Sequence, residues 1–246
     1  MSHAADNKAT PEPLALEYSE PPEAGQTAAL RSGDWLGVRG FDLRCCDCMD
    51  LMRQTPDKAF DLAIVDPPYG IGASAGVGKY GRLKNEANDK KWDDAIPPME
   101  YFAELRRVSR EQIIWGGNYF PLPPTRGWVI WDKGAGFEGR DFAEAELAWC
   151  SIDGNIRFFR RDPLARGDYR AKIHPTQKPV ELYRWLLERY AKPGQRVLDT
   201  HLGSGSHAIA AHYAGVHLTA CEIDADYFAA AMDRINRETA QTALFT

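Results

Sequence analysis

The 246-residue sequence contains no run of about 18 or more apolar residues, so no segment is predicted to span a membrane. Its amino terminus also lacks the basic-then-apolar pattern of a secretory signal, which indicates a cytoplasmic protein. Cysteine is scarce, and the odd count of five argues against a disulfide framework in a chain of this size. Cys45 and Cys48 form a C-x-x-C pair, but no second pair follows at a suitable spacing, so we expect no metal site.

Positive charge is also limited, because the formal net charge is −5. Such a balance argues against a nucleic-acid partner unless the charge is unevenly distributed. Residues 1–30 carry five acidic side chains and one lysine, and the Pro-, Ala- and Glu-rich stretch 1–33 is predicted to be a disordered tail. Two later stretches are basic and could meet a polyanion locally: one contains Lys79, Arg82, Lys84, Lys90 and Lys91, and the other contains Arg157, Arg160, Arg161, Arg166, Arg170 and Lys172.

Short apolar runs alternate with helical spacing from Phe41 onwards. The runs predict strands at 41–45, 61–65, 112–115, 128–131, 146–150, 196–199 and 216–223. Helical spacing predicts helices at 50–54, 98–107, 180–190, 207–214 and 226–237. This alternation is typical of an α/β domain with a mostly parallel sheet and helices on both faces, here spanning 34–246. A Gly- and Lys-rich stretch at about 70–98 interrupts the pattern and predicts a long mobile loop.

A glycine-rich turn lies between a predicted strand and a predicted helix, in the sequence LDTHLGSGS at 198–206. Glycines there let the backbone turn tightly, so that main-chain N–H groups and the helix start can face a ligand. The next strand ends in Glu222, whose carboxylate could accept hydrogen bonds from both ribose hydroxyls. This combination indicates a nucleoside cofactor. The alternative is a turn that only closes a βα unit, with Glu222 at a solvated strand end.

The sharpest feature is the tetrad Asp66, Pro67, Pro68 and Tyr69, which follows a compact apolar strand. Two prolines cannot continue a strand ladder, and they stiffen the backbone where a ligand usually binds in an open α/β sheet. The Asp66 carboxylate and the Pro67 carbonyl form two adjacent acceptors, and Tyr69 offers an aromatic face. The alternative is a strand terminator in which Asp66 caps a turn and Tyr69 packs.

Two adjacent acceptors suit an exocyclic amine on a nucleobase, which is a poor nucleophile because its lone pair is delocalised into the ring. Acceptors on both hydrogens favour a pyramidal nitrogen and stabilise the positive charge that appears as a methyl group arrives. Such a base must leave the duplex to reach the site, and an aromatic face can hold it by stacking.

The motifs together resemble the β class of amino-methylating DNA methyltransferases, in which the catalytic motif precedes the cofactor motif. The resemblance covers about residues 44–236. It is carried by DPPY at 66–69, WGGNYF at 115–120, WDKG at 131–134, ELAW at 146–149, HPTQKPVEL at 174–182 and VLDTHLGSGS at 197–206. It implies a Rossmann-like S-adenosylmethionine-dependent methyltransferase fold with a circularly permuted motif order.

The resemblance also implies roles for individual residues. Asp66 and Pro67 would bind the target amine, Pro68 completes the tetrad, Tyr69 would stack on a flipped base, and Trp149 would line its pocket. Lys178 would pair with the methionyl carboxylate of S-adenosylmethionine, and Glu222 would bind its ribose. The implied cofactor contacts are Asp47, Cys48, Asp66, His174, Thr176, Lys178, Pro179, Asp199, His201, Gly203, Ser204, Gly205 and Glu222.

Local alternatives stay open for three of these residues: His174 could cap a helix, Lys178 could be a solvated charge, and Trp149 could be core. The sequence also departs from the family, which commonly has Pro-Phe where Thr200 and His201 stand here. His201 could take over the packing role of that aromatic beside the cofactor.

The second basic stretch lies at about 152–173, where the family keeps its target-recognition region. Arginine suits both guanine and phosphate contacts, so the resemblance implies double-stranded DNA as partner, with Arg157, Arg160, Arg161, Arg166, Arg170 and Lys172 as contacts. A dimer, common in this class, would extend the reach of this short segment. A charged solvated loop is the alternative.

The expected activity is methyl transfer from S-adenosylmethionine to N6 of a flipped-out adenine in DNA. The nearest alternative is N4 of cytosine, for which Ser usually replaces Asp at the first tetrad position. A C5-cytosine activity is disfavoured, since no Pro-Cys dipeptide supplies a thiolate. A non-catalytic DNA-binding module on the same scaffold and an RNA methyltransferase stay open.

Overall fold

The computed structural model describes residues 40–72, 92–140 and 142–240. The predicted tail at 1–33, the first basic stretch and most of the predicted loop at 70–98 lie outside the described residues. Within them, no helix is long and apolar enough to cross a membrane.

Eight strands form one sheet in the order β1-β8-β7-β2-β3-β5-β4-β6. The strands are β1 (Phe41–Cys45), β2 (Phe60–Val65), β3 (Ser109–Trp115), β4 (Gly127–Asp132), β5 (Ala145–Cys150), β6 (Arg157–Arg160), β7 (Arg196–Asp199) and β8 (His217–Glu222). In this described sheet β5 alone runs antiparallel to its neighbours, β3 and β4. The prediction of a mostly parallel α/β sheet is confirmed.

Five helices cover the sheet: α1 (Cys48–Gln54), α2 (Met99–Val108), α3 (Val180–Tyr190), α4 (Ser206–Ala214) and α5 (Ala225–Ala240). Helices α3, α4 and α5 contribute to one apolar cluster, and α1 and α2 contribute to the other. Strand residues alternate between the clusters, as Ile113 and Ile114 of β3 illustrate. Burial on both faces explains why the central strands read as continuous apolar runs.

The predicted recognition segment at 152–173 contains a strand that the sequence analysis missed. Arg157–Arg160 forms β6, which pairs in parallel with β4 at the edge of the sheet. Its sequence, RFFR, is short and has a charged residue at each end, so it carries no strong strand signal. Part of this segment therefore belongs to the main sheet.

Candidate active site

The parallel strands bring separated motifs to one edge of the sheet. Asp66 follows β2, Asp199 ends the neighbouring strand β7, and Glu222 ends β8. Asp47 follows β1, the strand beside β8. Because these four strands run in the same direction, all four carboxylates lie at the carboxyl edge, the usual ligand position in such sheets.

The glycine turn after β7 is built on two left-handed residues, Gly203 with φ +53° and Gly205 with φ +75°. The Gly203 amide donates to Glu222 Oε2 at 2.9 Å, which joins the turn to the end of β8. A Cβ on Gly203 would lie 3.8 Å from the His174 ring and from the His201 carbonyl oxygen, at van der Waals distance, so His174 packs against the turn. The serine between the glycines, Ser204, is buried, and its hydroxyl contacts Ser206 Oγ at 3.1 Å.

Asp199, the last residue of β7, stabilises this turn through its side chain. One carboxylate oxygen accepts the His201 amide at 3.0 Å, and the other lies 2.9 Å from His207 Nδ1. Both Asp199 and His207 are buried, and the His207 ring stacks on Tyr183 at 4.7 Å. Both oxygens of Asp199 are therefore engaged within the protein, and these contacts shape the loop, whereas its predicted cofactor contact stays a prediction.

His201 lies beside Asp199 and packs against an aromatic side chain, whereas its predicted packing beside the cofactor stays a prediction. Its ring makes an edge contact with Tyr101 at 5.7 Å, and Nδ1 lies 2.9 Å from Thr200 Oγ1. Burial lowers the pKa of His201 from 6.5 to about 4, so the ring is neutral at ordinary pH.

Asp47 and Cys48 lie at the start of α1, next to the end of β8. The Asp47 side chain accepts the Met49 amide at 2.7 Å and so caps the helix. Burial, followed by the charge of Asp47, raises the pKa of the Cys48 thiol to about 12. Beside them, Ile223 is 67% exposed directly after Glu222. An exposed apolar side chain at this edge is a candidate contact for a planar ring, and the sequence analysis did not single it out.

The tetrad is held as a rigid corner after β2. A single carboxylate oxygen of Asp93 accepts the backbone amides of Tyr69 and Gly70 at 2.7 and 3.0 Å. The Tyr69 hydroxyl donates to Asp66 Oδ1 at 2.7 Å, and Pro67 is buried between them. The Asp66 carboxylate is thus oriented by a residue of the same tetrad, Tyr69.

The Tyr69 ring already lies against another aromatic ring. It stacks on Tyr119 with centroids 5.1 Å apart and planes 15° apart, and Tyr119 is 42% exposed. Close approach of the Tyr69 ring to the backbone is possible because residue 116 is glycine, where a Cβ would come within 2.2 Å of the ring. WGGNYF therefore supplies both the glycine and the stacking partner.

Lys178 already has carboxylate partners within the protein, and its pairing with a cofactor carboxylate stays a prediction. Its ammonium lies 2.5 Å from Asp66 Oδ2 and 3.0 Å from Glu146 Oε2, and its side chain is 2% exposed. Lys133 lies 2.7 Å from the other oxygen of Glu146 and is 8% exposed. The alternative of a solvated Lys178 is therefore wrong.

Lys133 and Glu146 were missed as site residues by the sequence analysis. Both belong to stretches that carried the family resemblance, WDKG and ELAW. The motifs were therefore recognised, but no role was assigned to these two residues. They reach the site because β4 ends there and the antiparallel β5 begins there.

One segment joins the glycine turn to the tetrad. At its start, His174 lies 3.8 Å from the position of a Cβ on Gly203, and its ring contacts Tyr227 at 4.4 Å and Trp92 at 5.3 Å. At its end, Lys178 contacts Asp66, and the buried Pro179 precedes α3. Between them, the Thr176 amide donates to His174 Nδ1 at 3.3 Å.

Trp149 lies in the core, where one alternative of the sequence analysis placed it. It is 5% exposed, and its indole N–H donates to the Pro123 carbonyl at 2.8 Å. Gly117 packs against it so closely that a Cβ there would come within 2.5 Å. A base pocket lined by Trp149 would require this core contact to open.

The six basic residues of the recognition segment have different environments. Arg160 and Arg166, with Arg161, line a cavity of about 450 Å³ at the carboxyl edge. Arg157 stands at the opposite end of β6 and lines a separate cavity of about 130 Å³. The structure therefore does not bring all six residues to one surface.

Three of these basic residues already have intramolecular partners. The Arg160 guanidinium donates to Asp132 Oδ2 at 3.1 Å. Arg161 forms a bidentate pair with Asp168, both bonds being 2.7 Å long, and lies 3.3 Å from Glu181. Lys172 lies 4.2 Å from the centre of the Tyr169 ring, and burial lowers its pKa to about 8. Arg166 and Arg170 are exposed at the surface.

Part of this site matches a model of a known protein family. The family model described as DNA methylase, for the N6 and N4 class, matches residues 122–233. This region contains the HPTQKP segment and the glycine turn, whereas the tetrad lies before it. Over these residues, which make up less than half of the chain, the protein is similar to N6/N4 DNA methylases.

Two relatives match most of the chain. YubD of Escherichia coli (strain K12), which bears the name of a methylase, is 27% identical over 207 residues, or 77% of this chain and 87% of YubD. The type II methyltransferase M.HpaI of Haemophilus parainfluenzae is 22% identical over 241 residues, or 80% of this chain and 74% of M.HpaI.

Solved structures support the fold. A crystal structure of M1.HpyAVI in complex with SAM matches with a TM-score of 0.52 and 17% identity, covering 80% of this chain and 99% of that one. PvuII DNA methyltransferase, cytosine-N4-specific, matches with a TM-score of 0.50 and 14% identity, covering 83% and 93%.

Proposed function

We propose that this protein transfers a methyl group from S-adenosylmethionine to an exocyclic amine in DNA, with N6 of adenine as the target. The observation that carries the proposal is the placement of two motifs at one sheet edge. The tetrad follows β2 and the glycine turn follows its neighbour β7, and residues 174–178 contact both. The match of residues 122–233 to a DNA methylase model makes DNA the expected substrate.

The residues at the glycine turn fit the proposed cofactor. Glu222 accepts one backbone amide on each oxygen, which leaves a lone pair on each for a ribose hydroxyl. The exposed side chain of Ile223, directly after Glu222, offers an apolar surface to a nucleoside. Asp47 and Cys48 follow β1, the strand beside β8. When bound, S-adenosylmethionine supplies an electrophilic methyl group on a sulfonium.

Asp66 and the Pro67 carbonyl would orient the target amine. Each of the two amine hydrogens would donate to one of these acceptors, which draws the nitrogen lone pair out of conjugation with the ring. The carboxylate would also stabilise the positive charge that develops on nitrogen. Both acceptors are fixed before the substrate arrives, because Asp93, Tyr69 and the two prolines hold the corner.

Tyr69 and Tyr119 would hold the extruded base. Their rings are stacked in the protein alone, and Tyr119 is partly exposed. A flat base can replace or extend this stack at little cost, since every nucleobase has an aromatic face. Stacking does not discriminate between bases, so Asp66 as first tetrad residue is the feature that favours adenine.

DNA would approach along the carboxyl edge, where the exposed Arg166 and the cavity lined by Arg160 lie. Guanidinium groups at this edge can contact phosphates next to the extruded nucleotide. Arg157 lies away from this edge and is a weaker candidate.

Tritiated methyl transfer to unmethylated DNA, followed by analysis of the nucleosides, tests the proposal. We expect labelled N6-methyladenine with the wild-type protein and a loss of at least about a hundredfold in rate with Asp66→Ala. Glu222→Ala should weaken cofactor binding, measured by calorimetry. Labelled N4-methylcytosine as sole product would reverse the choice of base, and undiminished turnover by Asp66→Ala would refute the mechanism.

A further inference from the structure

Four charged side chains form a continuous buried chain beside the tetrad. Lys133 contacts Glu146 Oε1 at 2.7 Å, Glu146 Oε2 contacts Lys178 at 3.0 Å, and Lys178 contacts Asp66 Oδ2 at 2.5 Å. None of the four side chains is more than 20% exposed. Two ammonium groups and two carboxylates together carry no net charge.

The proposed function makes the Lys178–Asp66 contact a difficulty. Asp66 must accept the target amine, but one of its oxygens already accepts Lys178 and the other accepts Tyr69. An ammonium so close to the amine would also oppose the positive charge that nitrogen gains during methyl transfer. A second carboxylate that shares Lys178 relieves both effects.

We propose that Glu146 and Lys133 are positioning residues that act on Asp66 through Lys178. Glu146 holds part of the charge and hydrogen bonding of Lys178, so that Asp66 keeps a lone pair and negative charge for the amine. Lys133 keeps Glu146 ionised and in place. This inference rests on the proposed function, and it assigns a task to two residues outside the tetrad and the cofactor motif.

The electrostatics of the cluster support this division. Burial opposes ionisation of Glu146, but Lys178 and Lys133 outweigh it and hold its pKa at about 2. Burial raises the pKa of Asp66, Lys178 lowers it, and the charge of Glu146 raises it again. Glu146 therefore stays a carboxylate throughout the working pH range, and its charge acts on Asp66 directly.

Other titratable groups face the cluster and must be considered in any pH experiment. Tyr69 and Tyr183 face Asp66, and burial keeps the pKa of each well above its ordinary value. Tyr169 and Lys172 face Glu146, and the pKa of Lys172 is about 8 because of burial. None of these four groups titrates on the acid side of neutrality, so none of them accounts for an acid limb in the rate–pH profile.

Two substitutions should shift the acid limb of the rate–pH profile in opposite directions. Glu146→Gln removes a negative neighbour and leaves Lys178 wholly to Asp66, so the limb should move to lower pH by about one unit while the plateau rate falls about tenfold to a hundredfold. Lys133→Met removes positive charge, so the limb should move to higher pH. Lys133→Arg should restore the wild-type profile.

Glu144→Gln is the matched control, because Glu144 is exposed and lies two residues from Glu146. It should leave the limb in place. A purely structural cluster would predict slower rates and lower melting temperatures without opposite shifts, and that result would overturn the inference.

Titration of the Asp66 carboxyl by ¹³C NMR separates this inference from the proposed function, since it requires no DNA. Opposite shifts of the Asp66 titration in Glu146→Gln and Lys133→Met support charge sharing, even if the wild-type protein methylates no DNA and the proposed function fails. An active wild-type protein whose Asp66 titration is the same in both variants would refute the inference alone.

Discussion

His201 is the residue at which the sequence departs from the pattern that the other motifs resemble, since Phe is common at this position. The sequence predicted that it could replace an aromatic ring, and its packing against Tyr101 fits that role. The hydrogen bond to Thr200 Oγ1 is the part that sequence could not give, because it depends on ring orientation. Its acid–base behaviour has a measurable consequence.

Substitution of His201 by Phe should make the protein less sensitive to acid. The folded protein holds the pKa of His201 at about 4, compared with 6.5 in the unfolded chain, because burial disfavours the charged ring. Between these values the unfolded chain binds a proton that the folded protein does not, so stability falls as pH falls. The loss should be on the order of 2 kcal/mol from pH 6.5 to 4.

Urea unfolding of wild type and His201→Phe at pH 6.5 and 4.5 measures this difference. The variant should lose less stability over that interval, whereas His217→Phe, at an exposed histidine that begins β8, should behave as wild type. Equal losses in His201→Phe and wild type would contradict the account.

Lys178 marks the limit of prediction at this scale. Sequence placed it near the cofactor's methionyl end by family resemblance, which stays a prediction, and the structure shows two carboxylate partners that were not predicted. Those partners lie 112 residues earlier in Asp66 and on β5 in Glu146, so no local pattern could have paired them. The contacts of Lys178 could not be predicted because its partners are far away in the sequence, although their residue types suit an ion pair.

At the level of elements, hydrophobic patterning predicted most of the sheet. The bounds of β1, β7 and α3 agree with the predicted ranges, although in β1 only Phe41 is buried and the other four residues are half-buried. β6 was missed because it is four residues long and exposed. The antiparallel direction of β5 was not predicted either, since burial patterns do not encode strand direction.

Gly116, directly after β3, is expected to position the tetrad. Gly116→Ala would place a Cβ 2.2 Å from the Tyr69 ring, in addition to the strain of a φ of +70°. We expect a loss of about 1–2 kcal/mol from the strain, a further 1–3 kcal/mol from overpacking, and lower methyl-transfer activity.

Gly139→Ala isolates the strain, because Gly139 has a similar φ of +67° and no atom within 4 Å of a Cβ. Thermal and urea unfolding of both variants should show a smaller loss for Gly139→Ala, with activity retained. Equal stability losses and equal activities in the two variants would show that the Tyr69 contact has no effect.

At the scale of the whole molecule, the net charge of −5 requires local rather than global attraction for DNA. The sequence grouped six basic residues as contacts, but the structure separates them. Arg161 is engaged by Asp168 and Glu181, and Arg157 lies at the far end of β6. Sequence could not make this distinction because ion pairing depends on the folded loop.

Arg166→Ala and Arg161→Ala should therefore differ. Arg166 is exposed, so its loss should weaken DNA binding and reduce the slope of log affinity against log salt by about 1. Arg161→Ala should chiefly lower stability, since it leaves the buried Asp168 without its partner. Fluorescence anisotropy over a salt series and thermal unfolding provide the two measurements. A lower salt slope in Arg161→Ala at unchanged stability would contradict this assignment.

The central claim is that the tetrad and the glycine turn face one crevice. Its most direct test is the distance between the cofactor methyl carbon and the nearer Asp66 carboxylate oxygen in a crystal structure with S-adenosylmethionine. An amine between them needs about 3–3.5 Å to the methyl carbon and about 3 Å to the oxygen, so we predict no more than about 7 Å. A cofactor bound elsewhere, or a methyl group that points away from Asp66 at a much longer distance, would contradict the account.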